Sequence, residues 1–303
     1  MKPIQAKLLV ILLALCNFAY SQETPQKEGR LMMGFYASSI SEQANRADIE
    51  VSLNFWAKDL LAAEARKINV DITSSGAILF DNIEDLAQAF ERGEIDMVVA
   101  PPLLISRHFI RKNLADGFMG VLADKKYDYL LLVARTDKNI NSAKDLPGKR
   151  LVMQENDELA EMFLDTEILK ALKQSYKNIG LSLQHQKKSP RIILDVFFDK
   201  ADAAVIYKST YDITTELNPG IKNKLKILAE YPIRSKNFSY FHVNYAFTQE
   251  LSAASVNFNK SARGQQILEV FKTPEVDFCR VAELDDLDKF YKDYLQLKQK
   301  TKN

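Results

Sequence analysis

The sequence predicts an α/β protein of two lobes, each a mainly parallel sheet flanked by helices, joined by a two-segment hinge. Short apolar runs alternate with amphipathic stretches along the chain, which is typical of parallel sheets covered by helices. The alternation restarts at Tyr127 after a first complete block. In the second block, Asp145-Leu146-Pro147-Gly148-Lys149 separates two apolar strands. Together these observations indicate two units of similar construction.

The first block contains three predicted strands and two predicted helices. Apolar residues at helical spacing predict a helix over residues 48–68. Asn82 and Asp85 stand in capping-box-like positions for a second helix, which Gly93 ends. The remaining apolar runs predict buried strands at residues 31–37, 70–73 and 95–100.

The second block repeats this pattern. Residues 129–134 form a near-continuous apolar run, Ser142 is placed to cap a short helical turn, and residues 158–173 carry an apolar stripe at helical spacing. Other apolar runs lie at residues 150–153, 192–198, 203–206 and 225–228.

These blocks set the expected domain boundaries. Residues 127–234 are assigned to lobe 2, which is inserted into lobe 1, formed by residues 30–126 and 235–303. After the insertion the chain returns to lobe 1 and ends in an amphipathic helix. The apolar positions of that helix are Leu284, Leu287, Tyr291, Tyr294 and Leu297.

The first 21 residues have the features of a cleavable secretory signal. Lys2 and Lys7 give a basic start, an apolar run follows at residues 8–15, and Ala19-Tyr20-Ser21 offers a small-x-small cleavage site. The apolar run is too short to span a bilayer, which needs about 20 residues. We therefore expect a periplasmic protein without membrane insertion, in which residues 22–29 form a flexible lead-in.

A lipoprotein signal is the weaker interpretation, because Leu15 precedes Cys16 where a small residue is expected. Removal of the signal leaves Cys279 as the one cysteine, so a disulfide within the mature chain is excluded. Basic and acidic residues nearly balance, at 41 and 40. Such a balance argues against nucleic acid as a partner, which would require a basic bias.

Candidate ligand contacts follow from the predicted sheets, because ligands of open α/β sheets bind beyond the carboxyl ends of the strands. Ser and Pro are also ordinary turn residues, so each of these positions has a plain structural alternative. Asp202 and Tyr207 begin and follow the 203–206 strand, where a ligand contact and a structural role are both open. The strand-end candidates of the first block are Tyr36, Ser38, Ser39, Ser75 and Pro101.

The chain resembles the phosphonate/phosphate/phosphite substrate-binding family of ABC importers, which has the type-2 periplasmic binding protein fold. The resemblance extends from about residue 32 to residue 294. Its anchors are the helix and strand at residues 86–96, the crossover at residues 133–151 and Ala201-Asp202-Ala203-Ala204. It implies a carrier that holds a small molecule between its lobes, with a membrane permease as partner.

The sequence departs from that family at the ligand-reading turn. Relatives carry a Ser/Thr-rich turn that presents hydroxyls and N–H groups to an oxyanion at a helix N-terminus, whereas this chain has the acidic residues Glu155 and Asp157 there. Carboxylates at a helix start satisfy the helix dipole themselves and repel a phosphonate. A cationic, zwitterionic or uncharged ligand fits this turn better, provided that it faces the cleft.

A second departure replaces the family's Ser-His pair with Ser189-Pro190-Arg191. Arg191 could supply a cation for an anionic group, and a solvated arginine is the favoured alternative. No catalytic set, cofactor motif or metal-ligand spacing stands out, since the three histidines are far apart. We therefore expect no enzyme, no cofactor and no metal site.

Three functions follow in order of preference. The first is capture of a small ligand of unknown class for a membrane ABC permease. The second is ligand sensing through the periplasmic domain of a sensor kinase. The third, and least favoured, is a periplasmic enzyme, which would require converging acid and base groups in the cleft.

Overall fold

The computed structural model describes residues 27–39, 46–67, 69–122, 127–270 and 273–301. The predicted signal peptide and the beginning of the predicted lead-in lie outside these residues. The first strand begins at Lys27 and pairs with a strand that begins at Val70. Residues 27–29 therefore belong to a sheet and not to a flexible lead-in, because backbone pairing requires no apolar side chains.

In the described part of the chain, eleven strands form two sheets. They are β1 (Lys27–Tyr36), β2 (Val70–Phe80), β3 (Met97–Ala100), β4 (Leu114–Val121), β5 (Asp128–Arg135), β6 (Arg150–Gln154), β7 (Ser182–Gln186), β8 (Ala203–Tyr207), β9 (Leu225–Ile233), β10 (Phe238–His242) and β11 (Glu275–Cys279).

Eleven α-helices are described between and after these strands, and none of them is both long and apolar enough to cross a membrane. A π-helical segment, Trp56–Leu61, joins the first helix to the second. The helices are α1 (Arg46–Phe55), α2 (Ala62–Arg66), α3 (Ile83–Glu91), α4 (Pro102–His108), α5 (Glu158–Leu172), α6 (Ser189–Phe197), α7 (Lys208–Leu217), α8 (Gly220–Lys224), α9 (Thr248–Ser255), α10 (Ala262–Val270) and α11 (Asp285–Lys300).

Both sheets are mixed. In the first sheet, ordered β11-β4-β10-β3-β1-β2, β1 is parallel to β2 and β3, and the other pairs are antiparallel. In the second, ordered β7-β6-β8-β5-β9, β6 is parallel to β7 and β8, and β5 is antiparallel to β8 and β9. The chain passes between the sheets through β4 and β5, and again through β9 and β10. The two-lobed α/β class is confirmed, with a smaller parallel part than the sequence suggests.

Each sheet is covered on both faces, which explains the continuous apolar runs of its central strands. Residues 130–134 of β5 are all completely buried, although successive side chains point to opposite faces. In the first lobe, one face packs Phe35 against Trp56, and the other packs Phe90 near Tyr240. The second sheet likewise separates two apolar clusters.

The helix α3 shows how local sequence sets an element. The Asn82 side chain accepts hydrogen bonds from the N–H groups of Glu84 and Asp85, at 2.7 and 3.2 Å. Gly93 has a φ of +70°, a left-handed conformation that glycine adopts without strain. Asn82 therefore caps the helix as predicted, and the turn at Gly93 follows its end.

The C-terminal helix α11 packs against lobe 2 as well as lobe 1, where Arg111 pairs with Asp285 and Asp288. Phe290 stacks on Tyr231 with ring centroids 4.2 Å apart, and the Tyr294 hydroxyl donates to Asp165 Oδ2 at 2.9 Å. Leu287 belongs to the same core cluster as the buried face of α5. The expected assignment of residues 235–303 to lobe 1 does not account for these contacts. The helix bridges the lobes because its apolar stripe meets the exposed side of the second core.

Candidate functional site

The two lobes are separated by a cleft with a cavity volume of about 590 Å³, a size typical of small-molecule sites. Lobe 1 contributes the ends of β1 and β3 and part of the π-helical segment. Lobe 2 contributes the turn after β6, the start of α6 and the end of β8. Both chain crossings border the same cavity. The first contributes Val121, Leu122 and Asp128, and the second contributes residues 233–237.

The lobe 1 wall of the cleft is apolar and aromatic. The Trp56 ring is edge-on to three others, with centroids 5.7 Å from Phe35, 6.2 Å from Phe118 and 6.1 Å from Phe258. All four rings border the cavity, and Trp56 is only 3% exposed. Trp56 also opens the π-helical segment, a local geometry that is frequent at functional sites.

The lobe 2 wall is polar, and Asp157 is its central side chain. Asp157 is the N-cap of α5, with Oδ1 accepting from the Ala160 N–H at 3.0 Å. Its Oδ2 accepts from the Tyr207 hydroxyl at 2.6 Å. These residues meet because β6 and β8 are parallel neighbours, so the segments that follow them leave the same edge of the sheet.

Tyr207 remains a hydrogen-bond donor at ordinary pH. Burial, and then the neighbouring Asp157 carboxylate, raises the pKa of Tyr207 well above its ordinary value of 10.0. The Lys236 ammonium lies 3.8 Å from the centre of the Tyr207 ring, a favourable cation–π distance. Lys236 comes from the second crossing, so this contact joins the hinge to lobe 2.

A second helix N-terminus at the cleft is also occupied by a carboxylate of the chain. Asp128 Oδ1 accepts from the Ser209 N–H at 3.0 Å, and Oδ2 accepts from the Ser209 hydroxyl at 2.6 Å. Ser209 lies in the first turn of α7, and both residues line the cavity. One N–H group in the first turn of each helix, that of Ala160 in α5 and that of Ser209 in α7, therefore already has an anionic partner.

Five of the predicted site residues line the cleft, and sequence reasoning found them by their position after strands. Ser39 is notable among them, because its buried hydroxyl has no hydrogen-bond partner in the described part of the chain. The Asn237 side chain donates to the Ser39 carbonyl at 3.0 Å, which ties the second crossing to the end of β1. The five are Ser39, Pro101, Glu155, Asp157 and Tyr207.

Three other candidates lie elsewhere or cannot be placed. Ser75 was expected in a turn after a strand, whereas β2 continues through Phe80 and Ser75 pairs with Leu31 in its interior. Backbone pairing with β1 overrides the turn preference of Ser and Gly. Tyr36 packs against the apolar cluster that contains Phe90. For Ser38 the structure describes the backbone turn, and its side chain lies outside the described part.

Asp202 and Arg191 are engaged in ion pairs away from the cavity. Asp202 accepts from the Arg150 backbone N–H at 2.9 Å and from its guanidinium at 2.7 Å. These hydrogen bonds hold the pKa of Asp202 below its ordinary value of 3.8. Arg191 is exposed and pairs with Asp195 one helical turn later, with Nε 3.2 Å from the carboxylate. Neither side chain borders the cleft.

Several residues of the cleft were not predicted from the sequence. Trp56 carried a signal, since it is the single tryptophan of the chain, but its helical spacing indicated only a core position. No sequence signal marked Phe118 or Lys236. An antiparallel strand brings Phe118 to the cavity, and a chain crossing brings Lys236 there. Lys187 also lines the cavity, and its Nζ lies 4.0 Å from Glu155 Oε1.

The described residues contain no group of three or more His, Cys, Asp or Glu side chains placed to hold a metal ion. Cys279 is completely buried, and its thiol lies 3.4 Å from the Tyr240 hydroxyl. Burial raises the pKa of this thiol far above its ordinary value. The position of Cys279 is that of an inert core residue.

Two lobes, two chain crossings and a cleft between the sheets define a type-2 periplasmic binding protein. Residues 75–283 match the family described as "ABC transporter, phosphonate, periplasmic substrate-binding protein". The chain belongs to this family, and the resemblance seen in the sequence is confirmed. Members of the family are periplasmic substrate-binding proteins that work with ABC transporters.

Solved structures share the fold over nearly the whole chain. XAC2383 from Xanthomonas citri, in a structure bound to ATP, has a TM-score of 0.64 at 14% identity, over 89% of this chain and 98% of that one. PhnD1 from Prochlorococcus marinus, in complex with methylphosphonate, has a TM-score of 0.60 at 16% identity, over 89% and 99%. A binding protein component of an ABC phosphonate transporter from Pseudomonas aeruginosa has a TM-score of 0.57 at 12% identity, over 90% and 89%. Among curated proteins no sequence matches.

Proposed function

We propose that this protein is an exported solute-binding protein that captures a small ligand between its lobes and delivers it to a membrane ABC importer. The observation that carries the proposal is the cleft of about 590 Å³, which both lobes line and both chain crossings border. A ligand in this cleft contacts both lobes at once, so it binds the closed form better than the open form. That difference in affinity is what shifts the population towards closure.

Closure would be guided by contacts at one edge of the cleft. Arg107 of α4 and Glu158 of α5 form an ion pair between the lobes. The Arg107 guanidinium also lies 5.7 Å from the centre of the Tyr291 ring of α11. The lobes are thus held together on the α11 side, and opening would occur on the other side by bending at the two chain crossings.

We do not expect a phosphonate to be the ligand, although the family's description names one. Asp157 and Asp128 occupy the N-termini of α5 and α7, two of the helix starts that border the cavity. At roughly 6 Å and an effective dielectric constant of about 20, one like charge costs a bound anion about 3 kcal/mol. Replacing Glu155 and Asp157 together with Ser should therefore raise the affinity for methylphosphonate, by up to about a hundredfold.

The control for that double variant is Glu167→Ser, which removes a carboxylate of α5 outside the cavity. It should leave methylphosphonate affinity unchanged in isothermal titration calorimetry. No gain for the double variant would show that the acidic turn does not repel the ligand.

Export to the periplasm is part of the same proposal. The sequence supports it through the signal at residues 1–21, and the family supports it through the location of its members. Mass spectrometry of the protein from a periplasmic fraction should find a chain that begins at Gln22. An uncleaved chain in the cytoplasm would contradict export.

The capture step is tested by thermal unfolding of the mature protein against phosphate, methylphosphonate, amines, amino acids and sugars. A ligand present at about 100 times its dissociation constant adds about 2.7 kcal/mol to the free energy of unfolding. A shift with one class supports capture, and no shift with any class argues against it.

Delivery is tested with a co-expressed importer in lipid vesicles. ATP hydrolysis should be faster with ligand-loaded protein than with empty protein, and equal rates would contradict delivery.

A further inference from the structure

The described lining of the cleft carries no net charge. It contains four acidic side chains, Asp128, Glu155, Asp157 and Glu158, and four basic ones, Lys187, Lys188, Arg234 and Lys236. Each of the four carboxylates also has a partner within the protein. Those partners are Ser209 for Asp128, Lys187 for Glu155, Ala160 and Tyr207 for Asp157, and Arg107 for Glu158.

A ligand with a net charge would disturb this balance of four acidic and four basic side chains, at an electrostatic cost. A ligand whose polar end is uncharged or zwitterionic avoids this cost, because it adds hydrogen bonds without changing the charge balance. The lobe 2 wall thus favours a polar end with no net charge.

The lobe 1 wall has the opposite character. Trp56, Phe35, Phe118 and Phe258 border the cavity, and Leu268 and Val276 extend the apolar surface. Pockets for drug-sized ligands combine such an apolar surface with a few polar groups. A ligand that is polar throughout would bury polar groups against this wall, which weakens binding.

One polar group interrupts the apolar side. Ser39 lies at the end of the turn after β1, and its buried hydroxyl has no hydrogen-bond partner in the described part of the chain. A buried hydroxyl without a partner is unfavourable until something bonds to it. A polar atom of a bound ligand would supply that bond once the Ser39 side chain turns its hydroxyl towards the cavity that the residue borders.

We propose that the cleft takes a small molecule with no net charge that carries an apolar ring, with the ring against Trp56 and the polar end against Asp157 and Tyr207. This inference rests on the proposed function and names the class of ligand. It differs from a small polar anion in both charge and shape.

The experiment uses the full mature protein and N-phenyl-1-naphthylamine, an uncharged fluorescent probe with aromatic rings. Because the chain has one tryptophan, energy transfer from Trp56 reports a probe bound near that side chain, and the Ser39 variant below tests whether the probe is in the cleft. We expect saturable transfer with a stoichiometry of one probe per chain. Ser39→Leu, which fills the cavity without removing a core ring, should weaken probe binding at least tenfold.

Two further variants control the assay. Phe55→Ala removes a ring next to Trp56 in sequence that is 45% exposed and outside the cavity, and it should leave probe affinity unchanged. Trp56→Phe should abolish the transfer while direct excitation still reports binding. Thermal unfolding of each variant establishes that it is folded.

Three outcomes decide the proposal. The proposal is supported if one probe binds per chain, if Ser39→Leu weakens that binding and if methylphosphonate does not displace the probe. A thermal shift with methylphosphonate or glycine, together with no probe transfer, overturns the ligand class and leaves the proposed capture function standing. No binding of the probe or of any ligand in the panel overturns both.

Discussion

The Asp157 carboxylate makes two interactions at once, and substitutions can separate them. It caps α5 through the Ala160 N–H and accepts a hydrogen bond from the buried Tyr207 hydroxyl. Asp157→Ala removes both. Loss of an N-cap costs about 1 kcal/mol, and loss of a hydrogen bond to a charged group costs about 1.5–3 kcal/mol. We therefore expect Asp157→Ala to lower the free energy of unfolding by about 2.5–4 kcal/mol.

Two further substitutions at Asp157 keep one or both of these interactions, the cap of α5 and the hydrogen bond with Tyr207. Asn caps a helix and its amide oxygen reaches Tyr207, so Asp157→Asn should cost less than about 1 kcal/mol. Ser caps as well but is too short for Tyr207, so Asp157→Ser should cost about 1.5–3 kcal/mol. Asn82→Ala is the matched control, because Asn82 caps the exposed start of α3 without a tyrosine partner. It should cost about 1 kcal/mol.

Urea unfolding at pH 7 measures these differences, with Tyr207→Phe completing a double-mutant cycle with Asp157→Ala. The cycle should give a coupling of about 1 kcal/mol or more. The reasoning is refuted if Asp157→Ala costs no more than Asn82→Ala, since the Tyr207 hydrogen bond would then contribute nothing. Equal costs for the Asn and Ala variants would refute it as well.

Three other perturbations test the structure outside the cleft. The pKa of Asp202 is held below its ordinary 3.8 by Arg150, so its contribution to stability is complete above that pH and is lost as the pH falls through the folded-state value. Urea midpoints measured from pH 5 downwards should decline less steeply for Asp202→Asn, and parallel profiles would contradict this. Cys279 is buried with a raised pKa, so an aromatic disulfide reagent should label the native thiol far more slowly than the urea-unfolded one. Fast native labelling would contradict its burial. Phe290→Ala removes the ring stacked on Tyr231 and should cost about 2–3 kcal/mol, and an unchanged thermal midpoint would show that α11 does not stabilise lobe 2.

Parts of the fold and of the site were predictable because their physics is local. Asn82 and Asp157 act on N–H groups two or three residues further along the chain, so the sequence alone indicates both caps. Tyr207 was found by its place after a buried strand, since strand ends mark the ligand edge of a sheet. Ser75 was misplaced because backbone pairing with β1 extends β2 through a polar Ser-Ser-Gly stretch.

The sequence by itself determined the class of fold and the acidic character of the turn before α5. Both follow from periodicity and from residue types within a few positions of one another. Only the tertiary structure decided that Asp202 pairs with Arg150, that α11 packs on lobe 2 and that Trp56 borders the cleft. Asp202 and Arg150 are 52 residues apart, as Asp157 and Tyr207 are 50 apart. Contacts over such distances depend on strand order and on the chain crossings, because these bring remote segments together and no local pattern encodes them.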